Sequence, residues 1–204
     1  MLSGLAIFGA IVGIGRLATA PPPNRATVRP VPASRSLAII FLAFIEGHGV
    51  VGVVVGILAI VGGIEVDPST APVVVILALL GAVIAVLPMI RDGSDLDPWI
   101  VTKAIPFMGG LIVLAIVLVI LASVIQETGS GTPPAWAFPI LGLISAAASI
   151  SLGVLGRRSI EAAARAEDSD VAAIRARAIS TVVPLQTIAV IALAIGIILV
   201  STAH

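Results

Sequence analysis

The sequence predicts an all-α membrane protein, with six transmembrane helices arranged as three helical hairpins in parallel repeat. Three observations predict it. Of the 204 residues 59% are hydrophobic and the mean hydropathy is +1.22, whereas soluble domains hold roughly 45–50% apolar residues. The apolar residues gather into six runs, each near the ~20 residues that cross a bilayer. Basic residues are confined to alternate connections between those runs. Backbone polar groups must be satisfied inside lipid, so such runs read as helices rather than strands.

Composition also excludes function classes. Eleven basic and 11 acidic residues cancel, which argues against nucleic acid as a partner. There is no cysteine, hence no disulfide, thiol nucleophile or thiolate metal site. His48 and His204 are the only histidines, too few for a metal cluster. No Walker motif, phosphate-cradling glycine loop or nucleophile arrangement is present. Neither a catalytic site nor a cofactor is expected.

The segments follow in order. Segment one, 2–20, is short enough to resemble a signal peptide, yet it lacks a basic start and carries Gly4, Gly9, Gly13 and Gly15; it reads as a mature helix. Segment two, 36–64, is apolar throughout except in FIEGHGVVGV, which starts at Phe44 and sets Glu46 and His48 deep inside it. Segment three, 71–90, carries Ala78, Gly81, Ala82 and Ala85. Segment four, 99–125, opens on Trp99, and segment five, 137–156, follows Trp136, both where interfacial aromatics belong. Segment five carries Ser145, Ser149 and Gly153 at four-residue spacing. Segment six, 178–201, is uncharged and rich in β-branched residues. The first connection, PPPNRATVRPVPASR, is Pro-rich, irregular and basic enough to attract anionic lipid. The fifth, RRSIEAAARAEDSDVAAIRARAIS, favours helix on both sides of EDSD and should extend segments five and six beyond the bilayer.

Topology follows from the basic residues. Arg16, Arg25, Arg29 and Arg35 flank connection one; Arg91 and Lys103 flank connection three; Arg157, Arg158, Arg165, Arg175 and Arg177 flank connection five. Connections two and four, GGIEVDPST and QETGSGTPPAW, have none. The positive-inside rule places loops one, three and five in the cytoplasm and both termini on the outer side. The chain then divides into hairpins at 1–64, 65–125 and 126–204, of which the first carries the carboxylate. All three cross in the same sense, a parallel rather than an inverted repeat. Their second helices align without gaps through AFIEGHGVVGVVVGIL, IPFMGGLIVLAIVLVI and VPLQTIAVIALAIGII, with Glu46, Met108 and Gln186 at equivalent positions. Pro106 and Pro184 precede those positions at matching offsets and are expected to kink their helices. In the first helices, IVGIGR ending at Arg16 is similar to GVLGRR ending at Arg158. Segments one, three and five carry small-residue faces that allow close helix approach, and segments two, four and six are bulkier. Small-residue stripes are common in membrane bundles, but their alternation here fits two concentric layers, tight inside and looser outside.

The third hairpin, ILGLISAAASISLGVLGRRSIEAAARAEDSD followed by RARAISTVVPLQTIAVIALAIGIILV, resembles the proteolipid subunit of rotary ATPases, most nearly the V-type with fused hairpins. The resemblance implies a small-residue helix ending near Gly-Arg, a polar cytoplasmic loop, and a second helix bearing an ion-binding carboxylate. Gln186-Thr187-Ile188-Ala189-Val190 has that layout with Gln at the carboxylate position, and Glu46-Gly47-His48-Gly49-Val50 has it with the carboxylate present. The family's arrangement implies a membrane ring built from copies of this chain or other proteolipids, a stator subunit supplying an arginine, and a soluble rotor stalk, with any ATP hydrolysis on another subunit.

Glu46 is then the expected ion-binding residue. A charged carboxylate in mid-bilayer costs about 2.5–3.5 kcal/mol, so one facing lipid is protonated and neutral, and one facing a stator cation is ionised. Such a group carries a proton. His48 is a candidate relay or a histidine hydrogen-bonded across a helix contact. Gln186, with Thr187 and Thr181, offers oxygens that could support an ion or accept a hydrogen bond from Glu46 of a neighbouring chain. Gly47 and Gly49 beside Glu46 offer none, which favours protons over the sodium that an oxygen-rich site would take. Met108 makes the second hairpin silent. The opposing expectation is a non-transporting structural membrane protein, a degenerate proteolipid scaffold or a free-standing helical bundle, in which Glu46 is satisfied by a neighbouring helix.

The native absence of cysteine makes the topology directly testable by single-cysteine labelling. In intact cells, a membrane-impermeant maleimide should label cysteines placed at Ser69 and Gly129. It should reach those at Asn24, Ser94 and Asp170 only after the membrane is opened. Labelling of the second group in intact cells would reverse the orientation.

Overall fold

The computed structural model describes residues 2–18, 32–61, 70–91, 137–166 and 168–201. They form five helices: α1 (Leu2–Ala18), α2 (Pro32–Val61), α3 (Thr70–Arg91), α4 (Ala137–Arg165) and α5 (Asp168–Ser201). These correspond to predicted segments one, two, three, five and six. Segment four and Met108 lie outside the described residues. Stretches within three helices are long and apolar enough to cross a membrane, namely Leu37–Leu58, Pro139–Ala163 and Asp170–Ile198; Ser3–Ala18 and Pro72–Ala85 are shorter apolar helices. The chain is thus an all-α protein with the helices of an integral, multi-pass membrane protein.

Helix α2 starts earlier than expected, and α4 and α5 run past segments five and six, as expected on either side of EDSD. Helix α2 begins at Pro32 rather than at residue 36. Proline suits a first helical position, because its missing N–H has no intrahelical partner there. Helix α4 runs to Arg165, held on its solvent side by an Arg157–Glu161 pair of 2.7 Å one turn apart. Helix α5 starts at Asp168 and continues unbroken through Pro184, although that residue gives the carbonyl of Ser180 no donor.

Glycine contacts define how the helices pack. On α1, Gly9 and Gly13 lie on one side and Gly4 and Gly15 on another, roughly 150° away at ~100° per residue. The first pair meets α4: a Cβ at Gly9 would strike the backbone of Ala146, and one at Gly13 the carbonyl of Ser149. The second pair meets α3: Gly4 faces Val74, with its Cα 3.1 Å from a Cβ there, and Gly15 faces Ala85. Gly81 of α3 returns the contact against Phe8 at 3.1 Å. From a third side α2 approaches α1, bringing Gly52 against Ala6 and Ile45 against Gly13. Surrounded in this way, α1 buries Ile7, Ile11, Ile14 and Leu17 completely. A helix apolar on every side belongs in a core.

Two layers result. Helices α3, α1 and α4 lie side by side with α1 in the middle. The second layer consists of α2, seated on both α1 and α4, and α5, seated on α4 and α2. Among the described residues α3 touches α1 alone. Half of the Pro139–Ala163 stretch is buried, against only 19% of Asp170–Ile198, so α5 is packed far less than α4.

Contact order also gives the relative directions. Ascending positions on α1 meet ascending positions on α3 (Phe8 with Gly81, Gly15 with Ala85) and on α4 (Gly9 with Ala146, Gly13 with Gly153). Likewise α2 and α5 ascend together, with Gly47 against Gln186 and Val55 against Gly196. Between layers the order reverses: on α2, Phe41 meets Gly156 and His48 meets Ser145. So α1, α3 and α4 run one way and α2 and α5 the other. The first and third hairpins therefore share an orientation.

The tightest contact should be intolerant of a methyl group. A Cβ at Gly153 would collide with the carbonyl oxygen and Cα of Gly13. Gly153→Ala should lower stability by about 1–3 kcal/mol, the usual cost of overpacking a core. At Gly47 the nearest atom is 3.7 Å away, and Gly47→Ala should change stability by less than ~0.5 kcal/mol. Denaturant unfolding in detergent micelles compares the two; equal stabilities would mean that the α1–α4 backbones are not in contact.

Candidate functional site

Two stripes run along α2. Leu37, Phe41, Ile45, His48, Gly52 and Val55 recur at helical spacing and are buried against α1, α4 and α5. Ile39, Glu46, Val50, Val54 and Ile57 recur at the same spacing and are exposed. Glu46 thus sits in the outward stripe, between isoleucine and valine neighbours, near the middle of the apolar stretch Leu37–Leu58. His48, two residues on, is turned about 200° from it at ~100° per residue and is completely buried.

The buried histidine does not stand among apolar side chains alone. Its Nδ1 lies 3.2 Å from Oγ of Ser145 on α4. Ser145 is 1% exposed and Ser149, one turn along, is fully buried; the Ser149 hydroxyl donates to the Ser145 carbonyl at 3.0 Å. On α5, Gln186 is half-buried, with its Nε2 3.7 Å from where a Gly47 Cβ would stand. Because α2, α4 and α5 all touch one another, these side chains form one polar layer where three apolar helices meet. Two of its atoms, His48 Nε2 and Gln186 Oε1, are buried and have no hydrogen-bond partner among the described residues.

The expected site residues are distributed as follows. Glu46 and Gln186, equivalent in the repeat, are at the same level on parallel neighbouring helices. Gln186 lies against Gly47 of its own chain. His48 makes a cross-helix contact. Thr187 stands apart on the exposed side of α5, its hydroxyl donating to the Val183 carbonyl at 2.9 Å; Thr181 likewise donates to the Arg177 carbonyl. No group of three or more metal-binding side chains occurs among the described residues.

Ser145 and Ser149 entered the sequence reading as small residues that permit close packing. Ser145 has a second role, giving His48 a polar partner. The available signal was a pair of serines one turn apart in one apolar segment and a lone histidine at mid-depth in another, since a polar side chain inside lipid seeks a partner on an adjacent helix.

The fold and site describe a helical membrane bundle with a mid-helix polar layer and a carboxylate on its outward face. No protein-family model, curated protein or solved structure matches this chain.

Removing the Ser145 hydroxyl leaves both ring nitrogens of His48 without a described partner. Ser145→Ala should cost about 1–3 kcal/mol, the penalty for an unsatisfied buried polar group. Ser151, whose hydroxyl is bound to the Ala147 carbonyl of its own helix at 2.8 Å, should tolerate alanine with little change. Equal effects in the unfolding titration would show that the His48–Ser145 contact contributes nothing.

Proposed function

We propose that this chain is an ion-translocating proteolipid of the membrane rotor ring of a V-type-like rotary ATPase, with Glu46 as its proton carrier. The observation that carries the reading is the exposed position of Glu46 in an otherwise apolar stripe at mid-helix. A structural glutamate gains its place by turning inward to a donor; this one turns outward. Facing hydrocarbon, a charged carboxylate is costly, and the proposal has the carboxyl travel as the neutral acid. Opposite an arginine of a stator subunit, with water at hand, the anion is stabilised and the proton leaves. Re-protonation from the other side completes the transfer.

Other features support the same reading. The layering of small-residue helices inside and bulkier ones outside suits a cylinder whose carboxylates lie on the outer rim. The shared direction of the first and third hairpins suits a repeat that continues around a ring, completed by further copies or by other proteolipids. The extended ends of α4 and α5 offer a surface for a soluble stalk, and the apolar outer face suits contact with lipid. Gln186 and Met108, at the equivalent positions, cannot titrate. A ring of this chain alone would therefore move one ion per three hairpins, and few ions per ATP suits a pump working against a steep gradient. The lack of oxygen ligands beside Glu46 favours protons over sodium.

Carbodiimide labelling of membranes across a range of pH, with and without sodium, tests the proposal. Only a protonated carboxyl in an apolar setting reacts efficiently, so modification should fall on Glu46, should be unaffected by sodium, and should vanish in Glu46→Gln together with ATP-driven proton uptake. Protection by sodium would reassign the ion. Absence of labelling from acid to neutral pH would replace transport with the scaffold role.

A further inference from the structure

We propose that the polar layer between α2, α4 and α5 holds an ordered water molecule that bridges His48 Nε2 and Gln186 Oε1. Both atoms are buried, both lack a partner among the described residues, and they belong to neighbouring helices in mutual contact. Leaving two such groups dry inside apolar helices is costly, and buried waters characteristically resolve it by making two to four hydrogen bonds to polar groups that would otherwise go unpaired. Gly47 sets the two side chains at one level of α2. It is the residue preceding His48, and it lies against the Gln186 amide.

The hydrogen-bond chemistry closes for either form of the histidine ring. When Ser145 donates to Nδ1, the ring proton sits on Nε2; the water accepts from Nε2–H and donates to Oε1 of Gln186. When Nδ1–H donates to Ser145, the water donates one O–H to the bare Nε2 and the other to Oε1. A direct histidine–glutamine bond satisfies only the first form. The water therefore joins Ser145, His48 and Gln186 into one hydrogen-bonded chain across three helices, at the depth of Glu46 but on the opposite side of α2. The layer is a hydration site of its own and does not depend on Glu46 carrying an ion.

The two histidines of the sequence make the test clean, because His204→Asn leaves a single imidazole signal. In lipid bilayers, ¹⁵N solid-state NMR with magnetisation transferred from water should show rapid build-up at His48 Nε2. Gln186→Leu should reduce that transfer several-fold, Gln186→Glu should retain it, and Glu46→Gln should leave it unchanged. Gln186→Met repeats the loss with an unbranched side chain should the leucine variant fail to assemble. Two results would overturn the proposal: no water transfer to Nε2 in the wild-type layer, or transfer that persists undiminished without the Gln186 acceptor. Neither result bears on carbodiimide labelling of Glu46, so the two readings fail separately.

Discussion

The close approach of α1 and α4, backbone on backbone at Gly13 and Gly153, is the contact on which the rest of this bundle depends. Within a bilayer, lipid tails compete with side chains on equal terms, and helices associate by fitting surfaces closely rather than by escaping water. Glycine at both sides of the crossing lets the main chains touch. Once α4 is held there, a groove opens along the α1–α4 line, and α2 lies in it, its Phe41 against Gly156 and its Gly52 against Ala6. Helix α5 then has two helices to lean on. On the far side of α1, Gly4 and Gly15 repeat the device for α3. A single helix with glycines on two faces organises everything described.

That arrangement also decides what the polar residues meet. Seating α2 in the groove turns one stripe toward α4 and the other toward the outside. His48 falls in the first and finds Ser145; Glu46 falls in the second and finds the apolar surroundings of the bundle. The two ionisable side chains of this segment are thereby separated across the helix. One is built into the packing and the other is left free of it. The outward position is the one the proposed proton exchange needs, and the buried position ties helices together.

The helices of the first, third and fifth segments, and the bulkier character of the second and sixth, were legible because they rest on composition and on one-dimensional spacing. The same is true of the conspicuous isolation of Glu46 in FIEGHGVVGV. The gap-free alignment set Glu46 and Gln186 at equivalent positions of the repeat. It did not foretell that Gln186 would lie against Gly47 of the same chain, because an alignment relates positions without stating which copies touch. The place of α1 at the centre of its layer was equally hidden. Chain order would set the second hairpin there; the glycines on two faces of α1 set the first there instead, with α3 and α4 on either side.

By itself, then, the sequence determined the class of the protein, the helical state of its segments and the identity of the one carboxylate that a hydrophobic helix carries at depth. These depend on local composition: an apolar run of sufficient length has no other way to satisfy its backbone in lipid. Tertiary structure alone decided which helices adjoin, that His48 pairs with Ser145, and that Gln186 lies against Gly47. Those outcomes are set by how far two backbones approach and at what rotation. That depends on glycines brought together from residues 140 positions apart, such as Gly13 and Gly153, which no local window of the chain contains.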